Sequence, residues 1–258
     1  MEIVIIDSGY LSYEIEKKLF EKEGFNLKIY PTYDGDAIEK KKFAKNADGI
    51  LVRQTKIDED FLSGMNNLKA IVRYGVGYDN IDIEACNKHG IKVAIVRGYA
   101  DHAIAEHALA LMFVCIRGMW NPILQLKQKF GSPPTPDIFE LHERTLGIIG
   151  IGKIGSEFCK KASPLFKDVL AYDPFKQIDY FNRLSIRKAG LDELFENSDV
   201  ISLHCNLTSE TKHLIDGGAF SKMRKKPVII NTSRGELICE EALLEALNQG
   251  KIHSAGLD

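Results

Sequence analysis

The chain has 258 residues, 45% of them hydrophobic and 27% charged, with a net charge of −2. That length can bury a sizeable core, as one large domain or two smaller ones. The near-neutral balance excludes a global field that would draw the protein to nucleic acid or to an anionic membrane.

In chain order, MEIVIID carries an acid at position 2 and no basic region, so it reads as a strand and not as a signal peptide. An amphipathic helix over 11–24 follows, with Gly24 just past its end. NLKIYPT, GILVRQ, KAIVRYG and KVAIVRG read as further strands, with helical stretches near 36–45, 57–63 and 81–88. The lysines at 40–42 in IEKKKFAK read as a solvated helix face. Strands nearly continuous in Val and Ile belong to a parallel sheet covered on both faces. Residues 1–99 suffice for a five-stranded doubly wound unit.

A helical stretch from Asp101 to Phe130 comes next. HAIAEHALALMFVCIRGMW is apolar nearly all round, which predicts burial on several sides, between domains or between subunits. Its longest apolar run, ALALMFVCI (108–116), is about half of a bilayer span. GSPPTP (131–136) breaks the helical pattern. The alternation then restarts over 145–258, with strands in TLGIIG, DVLAYD, DVISLHC, PVIINT and HSAGLD. Helices are expected in KIGSEFCKKA, LDELFENS, near 217–223, and in EEALLEALNQG. Five cysteines, Cys86, Cys115, Cys159, Cys205 and Cys239, form no CxxC pair, which points to buried, reduced thiols in a cytoplasmic protein. No metal site is expected.

Gly150-Ile151-Gly152-Lys153-Ile154-Gly155 is a G-x-G-x-x-G that follows a predicted strand and opens a predicted helix. Gly150 suits a tight turn. Gly152 lets a pyrophosphate approach helix N-terminal amides, and Gly155 lets helix and strand pack closely. Asp173, 18 residues beyond Gly155, ends the next strand. A carboxylate there accepts from ribose hydroxyls and repels a 2′-phosphate, so the cofactor expected is NAD.

With RYGVGYDNID (73–82), GYADHAIAEHALALM (98–112), SDVISLHCNLTSETKHLI (198–215) and INTSRGELICEEALLEALNQGKIHSAGLD (230–258), the chain resembles the D-isomer-specific 2-hydroxyacid dehydrogenases over essentially its whole length. The resemblance implies an α/β protein of two doubly wound parallel-sheet domains. One is a flavodoxin-like substrate domain over 1–99, completed in the family by a returning C-terminal segment. The other is a Rossmann NAD-binding domain over 100–258 that starts with the crossing helix. It implies reduction of a small 2-keto acid to the D-2-hydroxy acid, and a homodimer joined through 101–130.

By the same resemblance, Arg234 binds the substrate carboxylate and steadies the carbonyl, as a planar, permanently charged fork can. Val76 and Gly77 offer it backbone amides, in a turn before a helix capped by Asp79 or Asn80. Tyr99 stands near the substrate. Lys153 and Ile154 belong to the pyrophosphate turn. Cys205, Asn206 and Thr211 wall the adenosine side, with Asn206 replacing the family's proline. Thr232 and Ser233 line the nicotinamide side, and Asp258 holds the carboxamide. His107, inside the buried helix, and His204, at a strand end, read as satisfied structural histidines. The family's proton-donating histidine and its glutamate partner lie downstream of the AGLD segment. The expectation is therefore a truncated, very poor dehydrogenase with a nearly whole nucleotide site. The alternative is an NAD(H)-binding or regulatory protein on the same fold.

Overall fold

A computed structural model describes residues 1–119 and 138–258. The helical reading over 120–130 and the proline-rich break at 131–136 lie outside the described residues. The chain divides into two compact units, Met1–Tyr99 and Ala100–Asp258.

In the first unit, β1 (Glu2–Ile5), β2 (Asn26–Ile29), β3 (Gly49–Val52), β4 (Ala70–Arg73) and β5 (Lys92–Ile95) form one parallel sheet in the order β2-β1-β3-β4-β5. Successive side chains point to opposite faces. Val4 and Ile6 thus enter one core with Ile50, Val52 and Ile71, while Ile3 and Ile5 enter the other with Tyr13 and Leu51. That is why the strand sequences are apolar without alternation. Asp36, Asp58 and Asp82 cap the helices Ala37–Phe43, Glu59–Leu62 and Ile83–Lys88 with their carboxylates. The last cap is Asp82, not Asp79 or Asn80; the Asn80 amide instead donates to Thr55 O at 2.9 Å.

One lysine of the 40–42 cluster departs from the solvated reading. Lys40 is 5% exposed. Its ammonium donates to Asp7 Oδ1 at 2.7 Å, to Tyr33 O at 2.8 Å and to Thr55 Oγ1 at 3.2 Å. A buried cation needs such partners, and a sequence window shows only the run of charges, not the carboxylate 33 residues away.

The second unit holds β6 (Thr145–Ile149), β7 (Asp168–Tyr172), β8 (Arg187–Lys188), β9 (Val200–Leu203), β10 (Val228–Asn231) and β11 (Ser254–Leu257). They form a parallel sheet in the order β11-β10-β9-β6-β7-β8. Cores lie on both faces, one around Leu146, Ile148 and Phe158, the other around Ile149, Leu194, Ile201 and Phe220. The helix Ile178–Arg183 and the two-residue β8 were not expected from the sequence; both are too short to establish a period.

The helix Asp101–Ile116 buries one stripe, Ala105, Ala108, Met112 and Ile116, against the helix Lys153–Ala162, β10 and β11. Within its unit it is not buried on several sides, because Ala103, His107, Ala110 and Phe113 are exposed. An apolar helix face seen in sequence does not say whether the chain itself covers it. Of the five free cysteines, Cys86 and Cys159 are buried and the other three are partly exposed.

Candidate cofactor and substrate site

The strand order reverses between β6 and β9, and ligands in open α/β sheets bind at the carboxyl ends of the strands flanking such a reversal. The glycine-rich turn sits there, and its three glycines are needed for three different reasons. Gly150 has φ +91°, and a side chain on it would lie 2.7 Å from Cys205 N. A Cβ on Gly155 would lie 2.1 Å from Gly150 O, so helix Lys153–Ala162 approaches the turn closer than any other residue allows. Gly152 faces open space, with nothing within 4 Å of the position a Cβ would take. Gly152 is also the N-cap of that helix and offers no side-chain cap. The first-turn amides, Lys153 and Ile154 among them, therefore keep their donor capacity for an anion.

Asp173 follows β7 and is 8% exposed. Its carboxylate accepts from Ile151 N at 3.0 Å, inside the glycine turn, and from Phe175 N at 3.0 Å. It thus braces the turn from the end of the neighbouring strand. Beside it, burial first, and the charge of Asp173 after it, push the Cys205 thiol up to about 11. Cys205 is therefore a neutral wall and not a nucleophile. The following loop is tied by Thr211, whose hydroxyl donates to Asn206 O at 2.7 Å and accepts from Thr208 N at 2.7 Å.

His204 underlies the turn. Its ring meets Phe158 at 4.8 Å, and Nε2 lies 2.9 Å from Ser202 Oγ. Burial lowers its pKa to about 3, so the imidazole is neutral at physiological pH. It is only half satisfied, because buried Nδ1 has no partner among the described residues.

The turn after β10 carries Thr232, Ser233 and Arg234. Asn231, 3% exposed, organises it. Its Oδ1 accepts from Ser233 N at 3.0 Å and its Nδ2 donates to Arg234 O at 2.8 Å. Ser233 Oγ donates to Leu203 O at 2.9 Å, tying the turn to β9, and Arg234 Nη1 donates to Ser233 O at 2.8 Å. Thr232 Oγ1 is buried and unpartnered among the described residues, which leaves a hydroxyl for a ligand. Sequence reading passed over Asn231. The signal was present, since Asn at a strand end folds its side chain onto the amide two residues on. Asp258 lies beside this turn, its amide donating to Asn231 O at 3.1 Å. Its carboxylate lies 3.9 Å from His107 Nε2, a pairing the sequence did not suggest.

An open glycine turn, an uncapped helix start, a buried acid at the next strand's end and an orphan hydroxyl together fit a dinucleotide. The C-terminal 150 residues, 109–258, match the model of the NAD-binding domain of D-isomer specific 2-hydroxyacid dehydrogenases. This chain belongs to that family. A hydroxypyruvate reductase of Thermotoga maritima is 39% identical over 219 residues, covering 84% of this chain and 70% of that one. A D-3-phosphoglycerate dehydrogenase of Archaeoglobus fulgidus is 38% identical over 212 residues, but the match spans only 40% of its length. The D-lactate dehydrogenase of Aquifex aeolicus, solved with NAD and lactic acid, superposes with a TM-score of 0.86 at 32% identity, covering all of this chain and 76% of that one. The family's cofactor is NAD, and the second unit of this member is its NAD-binding domain.

The remaining residues that the sequence resemblance assigns to the substrate lie in the first unit. Gly75, with φ +143°, turns the chain after β4 and presents Val76 and Gly77. Tyr99 ends the unit and is 64% exposed. Among the described residues no three His, Cys, Asp or Glu side chains gather as a metal site. No described helix is long and apolar enough to cross a membrane.

Proposed function

We propose that the protein reduces a small 2-keto acid to the D-2-hydroxy acid with NADH, and that Arg234 binds the substrate carboxylate. The observation that carries this reading is the Arg234 turn. The backbone of Arg234 is held at the carboxyl end of β10 by the Asn231 amide, and its guanidinium donates through Nη1 to Ser233 O at 2.8 Å, on the sheet edge where the glycine turn opens. A fixed guanidinium binds a carboxylate bidentately and polarises the adjacent carbonyl. The family resemblance assigns Val76, Gly77 and Tyr99, in the first unit, to substrate binding. In the second unit, Gly150, Gly152, Lys153, Ile154 and Gly155 receive the pyrophosphate and Asp173 the ribose. Cys205, Asn206 and Thr211 line the adenosine side, Thr232 and Ser233 the nicotinamide side, and Asp258 accepts from the carboxamide. When bound, the cofactor supplies the hydride; the chain's own contribution is binding and orientation.

The test is NADH binding by fluorescence together with NADH oxidation on pyruvate, glyoxylate and hydroxypyruvate. Arg234→Gln is expected to leave NADH affinity within about twofold while raising KM for the keto acid and lowering kcat, by about a hundredfold in kcat/KM. NADH binding with no turnover on any keto acid would favour a cofactor-binding regulatory protein instead.

We further propose a cytoplasmic homodimer joined through the 101–130 region. The exposed Ala103, Ala110 and Phe113 on the described part of that helix support it. A monomer in size-exclusion chromatography would count against it.

A further inference from the structure

We propose that Asn80 is a positioning residue for the substrate: its side-chain amide fixes the Val76–Gly77 turn to a carbonyl that a buried ion pair holds still. The proposal rests on the reading of Val76 and Gly77 as carboxylate-binding amides.

The turn has no regular structure of its own. Between β4 and the helix Ile83–Lys88, residues 74–80 form no helix or strand. Gly75 leaves β4 with φ +143°, and a side chain on it would run into the Arg73 guanidinium. Among the described residues, no acceptor takes the Val76 or Gly77 amide. Unpartnered backbone amides in such a turn are donors for an anion. Loose donors bind weakly, because binding must first order the backbone that carries them.

The two ends of this span are held differently. At its start, Gly75 O accepts from Val96 N at 3.1 Å, just past β5. At its far end, Asn80 O accepts from Ile57 N at 2.7 Å, and Asn80 Nδ2 donates to Thr55 O at 2.9 Å. A second contact from one residue fixes its rotation as well as its position. The side chain of Asn80 thus sets how the closing residue of the turn is oriented.

Thr55 is a firm anchor for that contact. Its amide donates to Asp7 Oδ2 at 2.9 Å and its hydroxyl to Asp7 Oδ1 at 2.5 Å. Lys40 Nζ donates to the same hydroxyl at 3.2 Å. Asp7 also takes the Arg53 and Gln54 amides and the Lys40 ammonium. Both charges are buried, so removing one member leaves the rest without its partners, and the network holds as a whole. Rigid contacts therefore run from the ion pair through Thr55 and Asn80 to the turn. Donors ordered in advance spend none of the substrate's binding energy on their own ordering. The buried pair thereby gains a use beyond stability.

The test uses oxamate, an unreactive analogue of a 2-keto acid, titrated by calorimetry into the intact chain saturated with NADH. Asn80→Ala is expected to raise the oxamate Kd about tenfold, the scale of one hydrogen bond, and to leave the NADH Kd within about twofold. Thr55→Val removes the hydroxyl between Lys40 and Asp7 and should raise the oxamate Kd in the same direction. Thr55→Ser should restore it. Ile71→Val deletes a methyl from the core of the same unit and should leave both affinities unchanged, which separates positioning from a general loss of stability. Unchanged oxamate affinity in Asn80→Ala or in Thr55→Val, or an equal loss in Ile71→Val, overturns the proposal while leaving the substrate site standing. Failure of the unaltered, NADH-bound chain to take oxamate overturns the substrate reading along with it.

Discussion

The two units are built alike at one end of their sheets and differently at the other. At the amino ends, Asp48 and Asp199 do the same work. Asp48 precedes β3 and Asp199 precedes β9, each a strand paired with the first strand of its unit, and each accepts from the first residue of that first strand, Glu2 N and Thr145 N, at 2.9 Å in both cases. Each also takes a neighbouring cation, Lys69 at 2.8 Å and Arg144 at 3.1 Å. At the carboxyl ends the first strands part company. In the first unit the switch point is plugged. Asp7 fills it, accepting from Arg53, Gln54 and Thr55 amides at 2.7 to 2.9 Å and from Lys40. In the second unit the same point carries glycines and is left open. An array of backbone amides at a strand end is an anion site in either case. One unit satisfies it with its own carboxylate, and the other keeps it for a ligand. A shared fold therefore says where a site can be, and the side chains at the strand ends say whether there is one.

The largest effect should come from unplugging the first unit. Lys40→Met leaves Asp7 as an uncompensated buried charge and is expected to cost about 3–5 kcal/mol. Urea denaturation would show the loss, and exchange protection of peptides from residues 1–99 would locate it. Pairing it with Asp7→Leu should recover most of that. If Lys40→Met is neutral, the plug is not what organises that end.

Closing the open site comes next. Gly155→Ala drives a methyl into Gly150 O and should cost about 1–3 kcal/mol, with NADH affinity falling more than tenfold. Equal loss of stability with unchanged NADH affinity would break the assignment of the turn to the cofactor.

The smallest effects distinguish the units by acid sensitivity. His204 has a folded pKa of about 3, below its unfolded value, so the unfolded chain takes up the extra proton. The second unit should lose stability as pH falls below about 6.5, by about 1–2 kcal/mol near pH 5. Asp7 is held at about 2; burial opposes its charge, but Lys40, the Thr55 hydroxyl and the backbone amides outweigh it. Its contribution persists above the unfolded carboxylate value and is lost only as pH falls from about 4 through 2. Exchange protection followed against pH should fail first in the second unit, and His204→Gln should remove that early limb.

Local signals carried much of this fold. Two sheets of parallel strands were legible because continuous Val and Ile runs alternate with helical patterns, and that pattern is a local property of the chain. The glycine fingerprint was legible for the same reason, since Gly150, Gly152, Gly155 and Asp173 act within one strand–turn–helix–strand. Asn231 was legible in principle and went unread.

What sequence alone determined was the fold class, because it rests on short-range patterns that backbone geometry converts directly into structure, and, through the resemblance of several motifs, the family and its cofactor. Only the tertiary structure decided which charges are buried and which histidine meets which acid. Lys40 finds Asp7 across 33 residues, and the His107 imidazole comes within 3.9 Å of the Asp258 carboxylate. Contacts between segments distant in the chain depend on packing distance, and no local pattern encodes that.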